Sequence, residues 1–576
     1  MTTTPSAASA WATEFLGSAI SSGLRHLVVS PGSRSQALAL AAMAYEDNEG
    51  VPFRVHVSID ERSAGFFALG LAAESGVPAA LLCTSGSAVG HYLPAVMEAH
   101  HSGVGLVVIT ADRPEELLGV GANQTTDQPG IFGPFTRVVF DVGAPEAARG
   151  EAEQASEAQQ ARETARRAVE EAAGMTGFRP GPVQINVAFR EPLSSPHPVI
   201  AVDNPRELEP WSSSMLHEPQ ALMLDPAPGT VVIAGHGAGA KAEALARDLG
   251  APLFAEVHSG AHFGPHLVVC YRDLLATPPA EISRVVCVGR PTLSREVWAL
   301  VSRTDVDQVV WQQREPEPTN PSGVAVVADV VPVSTPVDDK TARAWSGPWV
   351  MASRALLEEQ ATELDAPPPN WEANVSDDMA TRSGFAKQEL AVFKRPITRR
   401  SIAQGVWEAT WPHDRLVVAS SRMIRELDNV APGKNIPVLS TRGLSGIDGQ
   451  IAFSRGVSAG ISHPGTGTVR VILGDIAFLH DVGSLLRDVG EEHWGRVHLF
   501  VVADGGGSIF DTLEAKNTSD PEHFERVLFT PVQAQVPALA QAYGWEYMEL
   551  SQFGQMPEAL AHTASHLIVE CRVGRG

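Results

Sequence analysis

The sequence predicts an α/β protein built from three doubly wound parallel-sheet domains. Three observations carry that expectation. Short β-branched apolar segments recur along the chain, each ending in a Gly-, Ser- or Asp-rich turn that opens a helical stretch. Between Thr468 and Phe510 two such strands, TVRVILGDIAF and VHLFVVADGGGSIF, place Asp475 and Asp504 at their ends, 29 residues apart. That distance accommodates one helical crossover between parallel strands. Finally, Pro205, Pro210, Pro219, Pro226 and Pro228, and later Pro367-Pro368-Pro369, break the chain into separate α/β stretches.

Residues 1–195 read as the first domain. Leu27–Val29 runs into Ser30-Pro31-Gly32-Ser33-Arg34-Ser35, and Phe53–Ile59 runs into Asp60-Glu61-Arg62 and a helix of small residues, Ser63 to Gly70. Ala79–Cys83 is closed by Thr84-Ser85-Gly86-Ser87, and Val104–Thr110 by Ala111-Asp112-Arg113-Pro114, with the polar loop Gly121-Ala122-Asn123-Gln124 beyond. Four successive strand ends with polar turns predict one ligand-facing edge, because open parallel sheets bind at their carboxyl ends. Residues 151–173, rich in Ala, Glu and Arg, predict a solvated connecting helix with Glu163 and Arg167 at i,i+4, and Val183–Val187 a closing strand.

Residues 210–340 predict a middle Rossmann-like domain. It opens with Val231-Val232-Ile233-Ala234-Gly235-His236-Gly237-Ala238-Gly239-Ala240, and Glu256 lies nineteen residues after Gly237. This spacing matches a dinucleotide fingerprint, though such a turn also serves close strand–helix packing, so a nucleotide-binding protein stays open as an alternative. Residues 341–395 read as an acidic, Ala-rich linker, and 396–576 as the third domain, with strand ends at Ser420-Ser421-Arg422 and Ser440-Thr441-Arg442-Gly443.

A net charge of −24 argues against nucleic-acid or anionic-membrane partners, and no apolar run is long enough to span a bilayer. The start of the chain carries no signal-peptide pattern. Cys83, Cys270, Cys287 and Cys571 are scattered, which fits buried thiols in a reducing cytoplasm.

The chemistry concentrates at the strand ends. Asp475 and Asp504, beside Gly474 and Gly505–Gly507, suit a hard cation carrying a diphosphate, since magnesium takes one or two carboxylates plus phosphate oxygens. Arg34, Arg113, Arg425 and Arg442 fall at or just past strand ends, with Arg290 and Arg295 flanking a middle-domain turn. Guanidinium groups gathered in so acidic a chain suit anionic, dicarboxylic substrates.

SPGSRS (30–35), IDERSAG (59–65), TSGSAV (84–89), TADRPEELLGVGANQ (110–124), TRGLSGIDG (441–449) and GGGSIF (505–510) together make the chain resemble the thiamin-diphosphate enzymes. More narrowly, it resembles the 2-succinyl-5-enolpyruvyl-6-hydroxy-3-cyclohexene-1-carboxylate synthases of menaquinone biosynthesis. The resemblance implies thiamin diphosphate with magnesium or manganese as cofactors, held by Asp475, Asp504 and the carbonyl of Gly506. Ala503 and Gly505 stand where that pattern usually carries Asn. It implies Glu61 as the catalytic proton relay to the cofactor's aminopyrimidine, and cofactor contacts from Thr84, Ser85, Gly86, Ser420, Ser421, Ile447, Gly474, Ile476, Ala477, Ser508 and Ile509. It implies a substrate pocket of Ser33, Arg34, Arg113, Gln124, Arg295, Ser421, Arg425, Arg442 and Phe510. The implied reaction decarboxylates 2-oxoglutarate and adds the product in a conjugate sense to isochorismate. The implied assembly is a cytoplasmic homodimer or homotetramer with active sites at the subunit interface. A carboligase or decarboxylase of the acetolactate-synthase kind is the nearest alternative.

Overall fold

The computed structural model describes residues 5–146, 150–197, 201–202, 205–312, 317–364, 369–461, 467–487 and 494–575; Pro367 and Pro368 of the expected linker lie outside them. Three sheets, parallel throughout, form the framework. The first contains β1 (His26–Val29), β2 (Arg54–Val57), β3 (Ala79–Cys83), β4 (Leu106–Asp112), β5 (Val139–Val142) and β6 (Pro182–Ala188), in the order β2-β1-β3-β4-β6-β5. The second contains β7 (Thr230–Ala234), β8 (Leu253–Ala255), β9 (Arg284–Val288), β10 (Asp307–Trp311) and β11 (Val326–Ala328), in the order β11-β10-β9-β7-β8. The third contains β12 (Arg415–Val418), β13 (Val438–Leu439), β14 (Thr468–Gly474), β15 (Arg496–Ala503), β16 (Glu546–Leu550) and β17 (His566–Arg572), in the order β13-β12-β14-β15-β17-β16. Central strands such as β4 and β6 are buried along their whole length, as parallel strands covered on both faces must be.

The chain folds as two compact units. One comprises Met1–Glu218 with Asp448–Gly465 and His480–Gly495; the other comprises Pro219–Ile447, Thr466–Leu479 and Arg496–Gly576. In the first unit the helix Glu61–Ser75 packs against the helix Gln450–Gly460 so closely that only glycine fits. A Cβ on Gly70 would lie 2.1 Å from the Phe453 carbonyl oxygen, and one on Gly456 would lie 2.0 Å from that of Phe67. The small residues expected after Glu61 thus serve backbone-to-backbone packing.

The helix Glu151–Ala172 departs from the solvated connector expected of it. Ala161, Ala165, Ala168, Val169 and Ala172 form a narrow helical stripe buried in the core of the first sheet. Its ion pairs also differ from the expected Glu163–Arg167 pair. Arg166 reaches both Glu163 and Glu170, whereas Arg167 lies over the Phe140 ring, 5.2 Å from its centroid.

In the second unit the expected linker is largely helical, over Asp339–Leu364, Trp371–Asn374 and Met379–Phe393. The first of these sends Trp349 into the core of the middle sheet against Phe254. All four cysteines are buried and free. No described helix is long and apolar enough to cross a membrane.

Candidate active site

The carboxyl ends of β12, β14 and β15 surround a cavity of ≈ 250 Å³. Its walls come from Ser420–Met423 after β12, Gly474–Ala477 after β14, and Asp504 with Gly506–Phe510 after β15, with Ile447 and Arg399 completing them. This is the topological switch point of the sheet, since the connections from β12 and β14 leave in opposite directions. Asp475 opens the helix Asp475–His480, and its carboxylate accepts the Ile476 amide at 2.8 Å and the Gly505 amide at 2.9 Å. The strand-end turns are therefore laced together through one side chain. Burial, and then the charge of Asp504, pushes the Asp475 carboxyl up to about 6. Asp504 accepts hydrogen bonds from Arg399 (Nη2 2.6 Å, Nε 3.2 Å) and from the Ser508 hydroxyl. Gly506 permits the close approach of Phe529, whose carbonyl oxygen would lie 2.5 Å from a Cβ there, and Gly507 that of Leu528, whose carbonyl oxygen would lie 2.8 Å from one.

In the first unit the equivalent strand ends carry different groups. Asp60 caps the helix Glu61–Ser75 by accepting from the Arg62 and Ser63 amides. The capping duty thus falls on Asp60, and Glu61 in the first turn is released from it. The Thr84–Gly86 turn and the Gln124 loop clasp each other. Ser85 Oγ donates to the Gln124 carbonyl at 2.9 Å, and Gln124 Nε2 donates to the Ser85 carbonyl at 2.8 Å. Gln124 sits at φ 59°, a left-handed conformation costly for a non-glycine residue and characteristic of functional loops. Gln128, which the sequence did not single out, is buried and braces this clasp. Its Oε1 accepts the Gly86 amide at 2.8 Å, and its Nε2 donates to Asn186 at 3.0 Å. Arg34 is buried, its amide donating to Thr84 Oγ1 and its guanidinium to the Phe189 carbonyl. Desolvation, and then the nearby Arg113 charge, lowers its pKa. Ser33 and Arg113 flank Arg34 at the ends of β1 and β4.

The remaining expected substrate residues divide. Ser421 lines the cavity, and Arg425 donates to the Ser421 carbonyl from one turn further along its helix. Arg442 is only 2 % exposed and is turned to the middle-sheet loop, with Nε donating to Thr292 Oγ1 at 3.0 Å and Nη2 to the Thr292 carbonyl at 2.7 Å. Arg295 opens the helix Arg295–Val301 with its side chain 77 % exposed, facing Glu514 at 3.6 Å. Neither Arg442 nor Arg295 lines the ≈ 250 Å³ cavity.

The Thr292 loop is itself held by Glu256. That carboxylate, 1 % exposed, accepts the Thr292 and Leu293 amides at 2.6 and 2.7 Å. Gly235 also packs against backbone, since a Cβ there would lie 2.2 Å from the Arg290 carbonyl carbon. The acidic residue and leading glycine of the dinucleotide-like pattern are therefore engaged within the fold, in close strand–loop packing.

The profile of the family described as "Thiamine pyrophosphate enzyme, N-terminal TPP binding domain" matches residues 12–131. A 2-succinyl-5-enolpyruvyl-6-hydroxy-3-cyclohexene-1-carboxylate synthase from Leifsonia xyli subsp. xyli is 46% identical over 564 residues, covering 96% of this chain and 94% of its own length. The synthase of that name from Clavibacter michiganensis subsp. michiganensis is 44% identical over 572 residues, covering 94% and 92%. One from Arthrobacter sp. is 37% identical over 579 residues, covering 96% and 87%. The chain belongs to this synthase family.

The cavity can be tested against the cofactor that the family's thiamine pyrophosphate domain calls for. A Cβ on Gly474 would meet nothing within 4 Å, so the backbone there opens onto free space. Ser420, Ser421 and Ser508 supply hydroxyls, and Arg399 and Arg422 supply positive charge suited to a diphosphate. The described residues contain no group of three or more His, Cys, Asp or Glu able to hold a metal. A cation at Asp475 and Asp504 would therefore need backbone and ligand oxygens as well, the mixed oxygen shell that magnesium prefers. The donor set fits. Arg399, Met423 and Val502 are lining residues that sequence reading did not single out, and Arg422 was visible there only as the close of the Ser420-Ser421-Arg422 turn.

Proposed function

We propose that this family member decarboxylates 2-oxoglutarate and joins the remaining four-carbon unit, by conjugate addition, to isochorismate. The product would be 2-succinyl-5-enolpyruvyl-6-hydroxy-3-cyclohexene-1-carboxylate, the compound in the names of its relatives, and the decarboxylation would release carbon dioxide. The observation that carries this reading is the pairing of Asp475 and Asp504 on neighbouring strand ends within one cavity.

In this reading Asp475, Asp504 and the Gly506 carbonyl hold magnesium or manganese, while Ser420, Ser421, Gly474, Ile476, Ala477, Ser508 and Ile509 line the diphosphate site. When bound, thiamin diphosphate supplies the nucleophilic carbon and the electron sink. Glu61 would hold and return a proton at its carboxyl oxygen, serving the cofactor's aminopyrimidine, and Thr84, Ser85 and Gly86 would supply further cofactor contacts. Ile447, in the cavity wall, would pack against thiamin diphosphate when it is bound. Arg34, Arg113, Arg425, Arg442 and Arg295 bind substrate carboxylates, directed by Ser33, Gln124 and Ser421. Phe510 excludes water, so that the new bond forms before protonation. We further read the enzyme as a cytoplasmic homodimer or homotetramer in which Glu61 of one copy serves cofactor held by another. The buried free thiols support that compartment.

The test is loss of isochorismate in dialysed protein, with 2-oxoglutarate, thiamin diphosphate and magnesium each omitted in turn. Dependence on all three supports the reading. Turnover with pyruvate in place of 2-oxoglutarate would point instead to an acetolactate-synthase-like carboligase.

A further inference from the structure

Asp504 is fixed from one side. Arg399 Nε, Arg399 Nη2 and Ser508 Oγ all converge on its Oδ2, leaving Oδ1 outside this network among the described residues. Both members of the Arg399–Asp504 pair are about nine-tenths buried. Arg399 opens the helix Arg399–Ala409, which Thr398 caps, so its backbone is set by the helix start. Its guanidinium is set in turn by Arg575, whose carbonyl accepts from Arg399 Nη2 at 2.9 Å and from Arg422 Nη1 at 3.4 Å.

The Arg575 side chain closes the arrangement from the far side. Its Nε and Nη2 bind the two oxygens of Asp511 at 2.9 and 2.8 Å, and its Nη1 reaches Glu525 at 2.6 Å. The guanidinium also lies 3.6 Å from the centroid of the Phe529 ring. Asp511 belongs to the turn Ser508–Thr512 that carries Ile509 and Phe510 into the cavity wall, and the Phe529 carbonyl accepts the Gly507 amide. The Val573 amide donates to the Ala503 carbonyl at 3.2 Å, so this segment runs along the end of β15 itself. Arg575 thus joins the cavity's arginines to its wall, and Val573, two residues earlier, ties the same segment to the strand that delivers Asp504.

We infer that Arg575 is a positioning residue for the turn that receives the diphosphate and its cation. Through its carbonyl it sets Arg399, which fixes Asp504; through its guanidinium it holds residues 508–529 against the glycine turn. Such bracing matters here because Ala503 and Gly505 offer no side-chain amide to brace the turn from within. The inference rests on the reading of the cavity as a thiamin-diphosphate site.

The test is calorimetric titration of thiamin diphosphate, at saturating magnesium, into the wild type, Arg575→Ala and Arg575→Lys, with amide exchange followed over residues 508–529. Arg575→Ala should bind about tenfold more weakly, the usual cost of losing a partner just outside a metal site, with kcat recovered at saturating cofactor. Exchange over 508–529 should quicken, and Arg575→Lys, which keeps charge without the planar fork, should fall between. Binding by Arg575→Ala within twofold of the wild type overturns the inference. So does weaker binding with unchanged exchange, because Arg575 would then act on the cofactor directly. A wild type that takes up no thiamin diphosphate fails the cavity reading itself, in the same titration, before any variant is compared.

Discussion

The first and third sheets place their six strands in the same relative order, yet their carboxyl ends carry different side chains. The third sheet ends in carboxylates, glycines and serines around a cavity, groups that suit the proposed cation and diphosphate. The first ends in Glu61, the Ser85–Gln124 clasp and the crowded pair Arg34 and Arg113, the groups to which the proposed function gives proton transfer and anionic substrates. One topology therefore carries two different sets of strand-end groups, and the difference lies in a few residues after each strand. Fold alone does not assign function; the groups set on it do.

The sharpest way to break this contrast is Glu61→Gln. Turnover should fall by about 10²–10⁴-fold, the range for a lost proton relay, while calorimetric binding of thiamin diphosphate stays close to wild type. Near-normal turnover would remove Glu61 from the chemistry.

Asp504→Asn probes the other sheet. It keeps an acceptor for Arg399 but weakens a ligand, and the magnesium needed for half-saturation should rise by about tenfold or more. Asp504→Ala is the poorer probe, because it would also leave the buried Arg399 guanidinium without its carboxylate and so cost stability. Unchanged magnesium dependence in Asp504→Asn would move the cation elsewhere in the turn.

Gly70→Ala tests the packing behind Glu61. Its Cβ would overlap the Phe453 carbonyl, and overpacking of this kind costs about 1–3 kcal/mol, measurable by urea denaturation. Full stability in that variant would mean that the two helices separate freely.

The smallest effect concerns Glu256. Burial, and then the Asp428 charge, pushes this carboxyl up to about 8 from an ordinary 4.5. A carboxyl raised in the folded state lends stability that is complete below its unfolded pKa and lost as pH climbs through the folded one. Glu256→Gln keeps the acceptor for the Thr292 and Leu293 amides but does not ionise. Its Tm relative to wild type should therefore rise between about pH 5 and pH 8; a constant difference across that span would contradict the assignment.

Much of this was legible in the sequence, for identifiable reasons. The strands β1, β3, β12, β14 and β15 are apolar runs closed by Gly- or Ser-rich turns, and Asp475, Asp504 and Gly506 follow directly from them. Edge strands were harder to see. β5 reads VFDV and β16 reads EYMEL, each half-exposed and mixed in polarity, so neither forms a continuous apolar run. Trp349 packs a core from within an apparent linker, because a helix with one buried face looks polar when averaged along its length. Arg399, Gln128 and Glu256 act through partners 36 to 105 residues away, such as Gly86, Thr292 and Asp504, and local spacing carries no trace of such pairings.

The most direct test mixes the two halves. Glu61→Gln and Asp504→Asn chains, each impaired alone, are unfolded together and refolded as a mixture. If Glu61 of one copy serves cofactor held by another, a mixed twofold dimer rebuilds one intact site, and random assortment should return about a quarter of wild-type activity. If the mixture gives no more activity than the two variants assayed separately, the two half-sites do not meet across copies and the account is wrong on that point.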